Sequence, residues 1–470
     1  MTGSMYAAVS GLKSHMNALN VIGNNVSNVN TTAYKATRYT FNEALYTTQR
    51  SGSDGTQVSG GRNPAQVGFG ASIGTIDLDM STKNYTPTGQ LLDTMIDGDG
   101  FFFVGDKELG DGATAVSITN QPALSGMNLT RLGNFNIDPN GYLVDGNGSV
   151  VWGFLEEEAD LEAKYDLATG LPPKTDNSST TPAPTTPAPG TTTAVTEKEL
   201  KYMTEEEVKS LQKLGVNLHN VQFEKLTQEK ADELAAQTDD TKLSDLEKEL
   251  KTRLAATDYT KIEVGQSYIV SATVTNNGVM GAIRLPTKNS ANEISWPEYT
   301  EPTAVVYNTP GDPTSGVATP AQPAKFTDTG SERLQADSVT IDEKSGALRV
   351  MTSEGTLYTV GYLALAKVTN PNGVTHVDGR YYQAKDGAGV LRATTIKGAV
   401  SGPKDPITGK VDGPESSGDT ALITGGLESS GTDLATEITN MITVQRGYQA
   451  NTRIVTVTDS MLEELVNMKR

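Results

Sequence analysis

The residues of this sequence that could carry out chemistry are three histidines and a few groups of carboxylates. His15, His219 and His376 lie far apart in the chain, so their spacing suggests neither a metal site nor a catalytic triad. Residues 97–100 read Asp-Gly-Asp-Gly, which could suggest calcium binding, but a turn is predicted instead. The sequence has no cysteine and no glycine-rich loop ending in Lys-Ser or Lys-Thr. Thiol chemistry and a phosphate-binding loop are therefore excluded.

Two runs of three glutamates, residues 156–158 and 205–207, are the remaining groups of acids. We predict that both runs lie on solvated faces, because nothing near them in the sequence suggests a partner. We accordingly expect no catalytic residue, no cofactor, no metal ligand and no enzymatic activity. A carboxylate site on a β-fold stays open as an alternative, and it would need a clustered acid and base.

Composition limits the classes of partner. The chain has 470 residues, which suggests roughly three domains. Its net charge of −19 argues against nucleic acid or an anionic membrane as a partner. No apolar run is long enough to span a bilayer, and the N-terminus lacks the pattern of a cleaved signal peptide. We expect either a cytosolic protein or one exported through an uncleaved N-terminus.

Large apolar residues repeat every seven positions near the end of the chain. They are Leu427, Leu434, Met441, Tyr448, Val455 and Leu462. With no proline among them, this heptad pattern predicts one long amphipathic helix over residues 427–470. The companion positions of its seam are predicted to be polar, with Gln445, Thr452 and Asp459. A helix with one narrow apolar stripe needs a partner helix alongside it.

The start of the chain supplies a candidate partner helix. Its heptad residues are Met5, Leu12, Leu19 and Val26. Each helix contains a glycine, Gly11 or Gly447, which costs about 1 kcal/mol in a helix interior, so packing must hold the pair. Apolar residues such as Val9, Val444 and Met461 remain outside the predicted seam, which indicates contacts with further copies of the chain. A dimeric coiled coil, or two core helices of an ordinary domain, would also explain the heptads.

Two short stretches carry a resemblance to a known family. Residues 24–35 read Asn-Asn-Val-Ser-Asn-Val-Asn-Thr-Thr-Ala-Tyr-Lys, and their asparagines should end the first helix. This stretch resembles the N-terminal signature of the bacterial flagellar rod and hook proteins, with Ala33 where the family usually has glycine. Residues 427–430, 439–442 and 445–451 resemble the family's C-terminal signature. Two matching signatures at the two ends are more specific than either alone.

The resemblance implies a mechanical role. It implies a self-assembling tubular joint that transmits torque from the motor rod to the filament, exported by the flagellar type III apparatus and located outside the cell in the hook–basal body. The implied partners are further copies of the chain, the distal rod protein, the hook cap and the hook–filament junction proteins. No nucleic acid partner and no membrane insertion are expected. The predicted assembly interface consists of Met5, Leu12, Leu19, Asn24, Asn25, Asn28, Thr32, Tyr34, Lys35, Leu427, Leu434, Met441, Gln445, Arg446, Tyr448, Asn451, Val455 and Leu462.

The predicted fold is mainly β, with long terminal α-helices that pair like a coiled coil and with nested, discontinuous domains. Alternating apolar residues and turn signals predict the β-rich parts. The predicted parts are a terminal helical assembly domain (1–35 plus 426–470), a connector (36–70), an inner β-domain (71–154 plus 351–425) and an outer domain (155–350). Within the outer domain we predict a Pro/Thr-rich linker at residues 170–195 and a helical insertion at residues 197–256.

Two other functions fit part of the same pattern. A distal rod protein would share both signatures, but such proteins lack so large an outer domain. An exported adhesin or glycan-binding protein on a β scaffold is the alternative from another class. A pocket lined by aromatic residues in the outer domain would favour the adhesin.

Overall fold

The computed structural model describes residues 2–52, 54, 60–109, 112–167, 197–237, 243, 245–256, 260–289, 294–302, 323–330, 332–335, 338–352, 355–401 and 413–468. The predicted linker at residues 170–195 lies outside these described residues. The chain forms two compact units. Unit 1 comprises Met1–Pro87, Asn370–Gly373 and Leu427–Arg470. Unit 2 comprises Thr88–Thr369 and Val374–Gly426.

Helices and strands are numbered along the chain. The α-helices are α1 Thr2–Ser27, α2 Gln121–Gly126, α3 Glu205–Lys213, α4 Gln228–Ala236, α5 Asp245–Ala255 and α6 Leu434–Met468. The strands up to residue 166 are β1 Thr37–Glu43, β2 Tyr46–Arg50, β3 Ala65–Gly68, β4 Ala71–Leu78, β5 Tyr85–Pro87, β6 Thr94–Asp97, β7 Phe101–Gly105, β8 Ala115–Ser117, β9 Asn128–Thr130, β10 Asn136–Ile137, β11 Leu143–Val144, β12 Val150–Glu158 and β13 Lys164–Asp166. The later strands are β14 Glu197–Glu199, β15 Leu218–Lys225, β16 Ser267–Thr275, β17 Val279–Ala282, β18 Thr287–Lys288, β19 Ile294–Ser295, β20 Glu298–Thr300, β21 Lys325–Thr327, β22 Glu332–Arg333, β23 Ser338–Ile341, β24 Ala347–Met351, β25 Leu357–Leu363, β26 Leu365–Val368, β27 Thr375–Asp378, β28 Tyr381–Gln383, β29 Leu391–Thr395, β30 Glu415–Ser416, β31 Ala421–Thr424 and β32 Gly426–Glu428. The fold is thus mainly β with a long helix at each end, as the sequence predicts.

The first helix, α1, ends within the asparagine-rich stretch. Its last residue is Ser27, and side chains there bond to the backbone instead of extending the helix. The Ser27 hydroxyl and the Asn28 amide both donate to the carbonyl of Asn24, at 2.9 Å each. This competition for backbone groups is the mechanism on which the sequence prediction depends, and the predicted end of the helix is confirmed.

The last helix, α6, begins later than predicted. Its N-cap is Asp433, whose carboxylate accepts bonds from the Ala435 and Thr436 backbone and from the Thr436 hydroxyl. These bonds, led by the one from the Thr436 hydroxyl, hold the pKa of Asp433 below its ordinary value. A capped start at Leu434 leaves Leu427 in strand β32, so the prediction that Leu427 opens the helical stripe is wrong.

The segment between α1 and unit 2 folds as paired strands. Strand β1 pairs antiparallel with β4, and β2 pairs antiparallel with β3, all within unit 1. The segment predicted as a connector, residues 36–70, therefore contributes three strands. Residues 71–78 form β4 beside β1, so the prediction that they open the inner β-domain is corrected. Ser10 and Ser14 of α1 donate to the carbonyl of Ala71, at 2.5 and 2.9 Å, which seats the helix on this sheet.

Unit 2 is organised around strand β12. Along its length β12 pairs antiparallel with β7, β17, β25 and β16. Its residues up to Leu155 are fully buried, which explains their continuous apolar run. The predicted boundary between inner and outer domains, at residue 154, falls inside this strand. That division of unit 2 stays a prediction.

The predicted helical insertion, residues 197–256, is a mixture of helix and strand. Helices α3, α4 and α5 are separated by β15, which pairs antiparallel with β16. Helix α3 starts with a capping box, in which Thr204 and Glu207 bond to each other's backbone. The prediction of helix throughout is therefore wrong, since residues 218–225 form strand β15, in which Val221 and Phe223 alternate with polar residues.

Candidate assembly surface at the chain ends

Helices α1 and α6 pack side by side through small residues. A Cβ atom built on Gly447 of α6 would lie 2.7 Å from Cε1 of His15, and one built on Gly11 of α1 would lie 2.8 Å from Nδ2 of Asn451. Each glycine therefore receives a polar side chain from the opposite helix. The glycines that weaken the isolated helices are the residues that allow this close approach.

The apolar part of this seam is small. Ala18, Ile22 and Val444 are buried, and Leu19, Val26, Tyr39 and Met441 pack around them. His15 lies against Phe41 of β1, with ring centroids 5.4 Å apart. Its Nδ1 atom is buried and has no hydrogen-bond partner among the described residues. The seam thus combines a short apolar cluster with polar contacts.

Only some of the heptad residues of α6 lie on the side of the helix that packs against α1. Met441, Val455 and Leu462 are half-buried, whereas Leu434 and Tyr448 are exposed. The buried companions are Val444 and Thr458, three residues after Met441 and Val455. The predicted companions Gln445, Thr452 and Asp459 are all exposed, so that prediction is wrong. Val444, predicted to lie outside the seam, is part of it.

A hydrogen-bond hub joins the end of α1 to the start of α6. The amide nitrogen of Asn25 donates to the carbonyl of Thr37 and to Oε1 of Glu437, both at 2.8 Å. Its oxygen accepts bonds from the backbone and hydroxyl of Thr37 and from the Tyr34 hydroxyl. Asn25 is almost fully buried, so these bonds satisfy its amide.

Hydrogen bonds also link the end of α1 and the residues that follow it to the segment just before α6. Thr432 and Ser430 donate their hydroxyl protons to the carbonyls of Asn25 and Asn28, at 3.1 and 2.9 Å. The Gly431 amide donates to the Tyr34 carbonyl at 2.8 Å. We call residues 25–35 together with residues 428–432 the terminal clasp. It fixes the register of the two helices at one end of their seam.

A buried ion pair lies inside the terminal clasp. The Nζ atom of Lys35 is 2.6 Å from Oε1 of Glu428, and both side chains are essentially inaccessible to solvent. Lys35 also donates to the carbonyl of Ser81 at 2.9 Å, and Glu428 accepts from the backbone of Lys83 at 2.9 Å. Three segments of unit 1 therefore meet at this pair.

Ala33 adopts a left-handed conformation, with φ of 58°. Such a conformation costs a residue with a Cβ atom roughly 1–2 kcal/mol. The Ala33 amide donates to the carbonyl of Glu428 at 2.8 Å, and this bond holds the turn in place. The turn that glycine normally favours is thus made here by alanine, with support from the C-terminal strand.

The predicted interface residues divide by exposure. The exposed ones are Asn24, Thr32, Leu434, Gln445, Arg446 and Tyr448. The half-buried ones are Met5, Leu12, Leu19, Asn28, Tyr34, Met441, Asn451, Val455 and Leu462. The buried ones are Asn25, Lys35 and Leu427. The buried residues lie inside the single chain, and a role for them in contacts between copies stays a prediction.

Unit 1 also presents apolar side chains outward. On α6 the exposed ones are Leu434, Ile438, Ile442, Tyr448, Ile454, Val457, Met461, Leu465, Val466 and Met468. From Ile454 onward most are spaced by three or four residues, so they share one side of the helix, which we call the outer face of α6. Elsewhere in unit 1 the exposed ones are Tyr6, Val9, Met16, Phe41, Leu45, Tyr46, Val67, Phe69, Ile76 and Tyr85. Sequence reasoning identified part of this surplus but missed the strand residues.

In unit 2, one glutamate predicted to be solvated is buried. Glu156 is fully buried in β12, and its Oε1 atom accepts a bond from the Thr275 hydroxyl at 2.5 Å. Burial raises the pKa of Glu156 to about 8, and burial lowers the pKa of His219 to about 4. Their approach of 4.0 Å is therefore not an ion pair at neutral pH, when both groups are largely uncharged. The Tyr362 hydroxyl lies 3.2 Å from Nε2 of His219.

The other candidates for chemistry have structural roles in unit 2. At the Asp-Gly-Asp-Gly stretch, the Arg131 guanidinium donates to the carbonyls of Gly98 and Gly100, at 2.8 and 2.7 Å. The carbonyl oxygens of this stretch are thus hydrogen-bonded to the Arg131 side chain. Among the described residues, no group of three or more histidines and carboxylates is placed to hold a metal ion.

One pocket in unit 2 has aromatic residues in its wall. It encloses about 320 Å³, and Trp296 and Tyr358 are among its lining residues. Trp296 is buried against Tyr358, with ring centroids 6.4 Å apart, and Gln222 donates to the Tyr358 hydroxyl at 3.1 Å. The fold itself therefore uses much of these aromatic surfaces.

Comparison with known proteins gives matches at both chain ends. A family model described as "Flagella basal body rod protein" matches residues 5–35, and one described as "Flagellar basal body rod FlgEFG protein C-terminal" matches residues 423–468. The flagellar hook protein FlgE of Borreliella burgdorferi is 25% identical, and the alignment covers 100% of both chains. The chain belongs to the flagellar rod and hook protein family. Membership places it among the structural proteins of the flagellar hook and basal body.

Other members of the flagellar rod and hook family match to different extents. The basal-body rod protein FlgG of Bacillus subtilis is 40% identical over 148 residues, which cover 32% of this chain and 50% of the relative. The chain therefore spans half of the length of that rod protein. The crystal structure of the Helicobacter pylori hook protein FlgE2 aligns with a TM-score of 0.25 and 10% identity, covering 73% of this chain and 100% of that one.

The two family-model matches contain the two halves of the terminal clasp. Lys35 is the last residue of the N-terminal match, and Glu428 lies within the C-terminal match. In this rod and hook family member the two signatures therefore meet in space, at Asn25 and at the buried ion pair. None of the described helices is both long and apolar enough to cross a membrane.

Proposed function

We propose that this chain is a structural subunit of the bacterial flagellar hook. Copies of it assemble into a flexible tube, a universal joint that transmits torque from the rod to the filament. The observation that carries the proposal is the outer face of α6, an apolar surface on a helix whose other side already packs against α1. A soluble monomer rarely exposes so extended an apolar surface unless a partner covers it.

Contacts between several copies of this chain would cover such a surface. The exposed apolar residues of unit 1 lie on both helices and on strands β1 to β4, so several neighbours are needed to cover them. Each large side chain that becomes fully buried contributes roughly 1.5–3 kcal/mol. A contact between different surfaces of identical copies extends into a helical polymer unless its rotation closes a ring.

The hook is favoured over the rod by the extent of the matches. The Borreliella burgdorferi relative that aligns along the whole chain carries the name of a hook protein. The Bacillus subtilis rod protein aligns with 32% of the chain. Most of this chain thus has no counterpart in that alignment, as expected if an outer domain distinguishes hook from rod subunits.

The remaining details of the proposal follow from the same role. The subunit would be exported through the flagellar type III apparatus, would lie outside the cell, and would contact the distal rod protein, the hook cap and the hook–filament junction proteins. We propose that the terminal helices form the innermost layer of the tube. We expect no enzymatic activity. An adhesin is less well supported, because Trp296 and Tyr358 pack on each other in the wall of the pocket.

The proposal is tested by a charge on the outer face of α6. Met461 is 50% exposed, so Met461→Asp should leave the chain folded but should abolish polymers, because the carboxylate would be desolvated between copies. Electron microscopy after induced polymerisation measures the outcome, and circular dichroism checks the fold. Ser460→Asp, at the neighbouring exposed polar position, is the control and should still assemble. Tubes of normal yield from Met461→Asp would contradict the proposal.

A further inference from the structure

The buried apolar residues of unit 2 divide into separate clusters along the sequence. One cluster contains Leu211 and other residues of α3, β15 and β16, and a second contains Leu250 and other residues of α4, α5 and β16. All members of these two clusters lie between residues 159 and 274. The large remaining cluster of unit 2 has no member between residues 156 and 278 among the described residues. We call the described residues from 159 to 275 the side module.

Polar side chains of the side module contact the rest of unit 2. Asn217 donates to the carbonyl of Val400 at 2.7 Å, and Gln222 donates to the Tyr358 hydroxyl at 3.1 Å. Water can replace each of these partners when the contact opens. A neutral hydrogen bond of this kind therefore strengthens a contact by only about 2- to 10-fold.

The Asn220 side chain pairs with the backbone of Thr359 in β25. Its Oδ1 atom accepts from the Thr359 amide at 2.8 Å, and its Nδ2 atom donates to the Thr359 carbonyl at 2.8 Å. One side chain thus bonds both polar backbone groups of a β25 residue, as a neighbouring strand would. The register of β15 against β16 shifts between His219 and Gln222, and Asn220 has a φ of 47°. Such a bulge changes the direction of a side chain, and here it allows Asn220 to reach β25.

Strand β12 joins the side module to the rest of unit 2. Its residues from Val150 to Leu155 pair with β7, β17 and β25, whereas Glu156 to Glu158 pair with β16 of the side module. Both sets of ladder bonds can persist when β15 moves away from β25, because β12 makes them. We call the contacts of Asn217, Asn220 and Gln222 with the rest of unit 2 the polar latch.

We propose that the side module is a separate folding unit, that the polar latch holds it against β25, and that it can undock there without unfolding. Asn220 is the positioning residue of the latch. Undocking exchanges hydrogen bonds for bonds to water and leaves the apolar clusters on both sides buried. Opening through an apolar core would instead expose large side chains, each of which weakens the closed state by roughly 10- to 150-fold. The inference concerns a single chain and does not depend on the proposed function.

The first test measures a distance between the side module and the rest of unit 2 in the full chain. The sequence has no cysteine, so Glu229→Cys in α4 and Lys367→Cys in β26, at two exposed positions, provide unique sites for spin labels. Pulsed electron paramagnetic resonance should give one narrow distance distribution when the latch is intact. The triple variant Asn217→Ala/Asn220→Gly/Gln222→Ala removes the latch and should make a broader, longer distribution the major one. Glycine at position 220 keeps the left-handed backbone accessible.

The control for this measurement is an asparagine outside the latch. Asn147 is exposed in a turn of unit 2 outside the side module, and its amide donates to the Tyr381 hydroxyl at 3.1 Å. Asn147→Gly removes a comparable bond and should leave the distance distribution unchanged. A triple variant with the same distribution as the wild type, or an equal change in Asn147→Gly, would overturn the proposal.

Hydrogen exchange distinguishes undocking from unfolding. In the triple variant, amides of α3, β16 and β7 should keep their protection to within about 5-fold, because their clusters stay closed. Leu211 is fully buried, so Leu211→Ala should lower the protection of amides in α3, β15 and β16 by about 30-fold or more and leave β7 and β26 unchanged. Loss of protection in β16 of the triple variant would show that the module unfolds when it is released. An equal loss in β7 of Leu211→Ala would show that unit 2 folds as one body. Either result would contradict the proposal.

Discussion

The two units of this molecule bury their apolar residues to different extents. In unit 2 a large cluster that includes Phe102, Val104 and Phe135 is closed from solvent. In unit 1 the buried residues of the cluster between the helices are Ala18, Ile22 and Val444. Most of the large hydrophobic side chains that are exposed among the described residues belong to unit 1.

This difference indicates where each unit obtains its stability. Unit 2 has the core of a self-sufficient β-structure. Unit 1 is held by the sheet beneath α1, by two glycine contacts and by the polar bonds of the terminal clasp. Its exposed apolar surface remains available for contacts with other copies of the chain, and a polymerising subunit needs such a surface. The following variants test that contrast.

The largest effect is expected from truncation in the core of unit 2. Phe102 is fully buried and packs on Phe135, with ring centroids 5.0 Å apart. Phe102→Ala should lower the free energy of unfolding of unit 2 by about 3–5 kcal/mol. Both tryptophans of the sequence, Trp152 and Trp296, lie in unit 2, so urea denaturation followed by their fluorescence reports on that unit.

A matched truncation on the outer face of α6 should behave differently. Ile454 is exposed, so Ile454→Ala should change the stability of the monomer by about 0.5 kcal/mol or less. It should nevertheless raise the protein concentration needed for polymerisation. If Ile454→Ala destabilised the monomer as strongly as Phe102→Ala, the contrast between the units would be wrong.

A pH dependence of a smaller size is expected in unit 2. Burial raises the pKa of Glu156 from 4.5 to about 8, so its contribution to stability is complete below pH 4.5 and is lost as the pH rises towards 8. His219, whose pKa is lowered from 6.5 to about 4, contributes above pH 6.5 and loses that contribution as the pH falls. Of these two contributions, mainly that of Glu156 changes between pH 6.5 and 8.

Over that interval the free energy of unfolding of unit 2 should fall by up to about 2 kcal/mol through Glu156. Tryptophan fluorescence during urea denaturation at several pH values measures the change. Glu156→Gln keeps the shape of the side chain and removes the titration, so its stability should vary much less with pH. Equal slopes for the variant and the wild type would show that Glu156 is ionised in the folded protein.

The close contact between the helices of unit 1 predicts a further effect. Gly447→Ala should place a methyl group on the His15 ring and destabilise the helix pair by about 1–2 kcal/mol. Hydrogen exchange of amides in α1 and α6 measures the loss. Gly23→Ala is the control, because a Cβ atom at Gly23 meets nothing within 4 Å. That control should gain about 0.5–1 kcal/mol, since alanine favours a helix over glycine. Equal effects of both substitutions would remove the argument for a glycine contact.

The sequence predicts those features of unit 1 that depend on local patterns. The heptads of Met441, Val455 and Leu462 identify the side of α6 that faces α1, and the asparagines mark the end of α1. The companions Val444 and Thr458 were missed because the heptad positions that they share, 444, 451 and 458, are apolar only at Val444. Leu427 fits the heptad count, but the capping of α6 by Asp433 excludes it from the helix.

Other features depend on contacts between distant parts of the chain. The run Glu156 to Glu158 has the composition of a solvated surface, yet pairing of β12 with β16 buries its first member beside Thr275. The terminal clasp could not be derived from either signature alone, since its ion pair takes Lys35 from one signature and Glu428 from the other. The exposed apolar residues of β1 to β4 lie in two separate two-stranded sheets, β1 with β4 and β2 with β3, and this pairing could not be read from the sequence.

The central claim is that unit 1 supplies the surface that copies of this chain bury when they assemble. Methionine oxidation by peroxide, read by mass spectrometry before and after polymerisation, tests it directly, because the rate follows exposure of the sulfur. Met461 and Met468 of α6 are 50% and 76% exposed, and Met351 of unit 2, at 41%, is the internal reference. We predict that polymerisation slows oxidation of Met461 and Met468 at least about tenfold and that of Met351 much less. Unchanged oxidation of Met461 and Met468 in assembled protein, or protection of Met351 instead, would contradict the account.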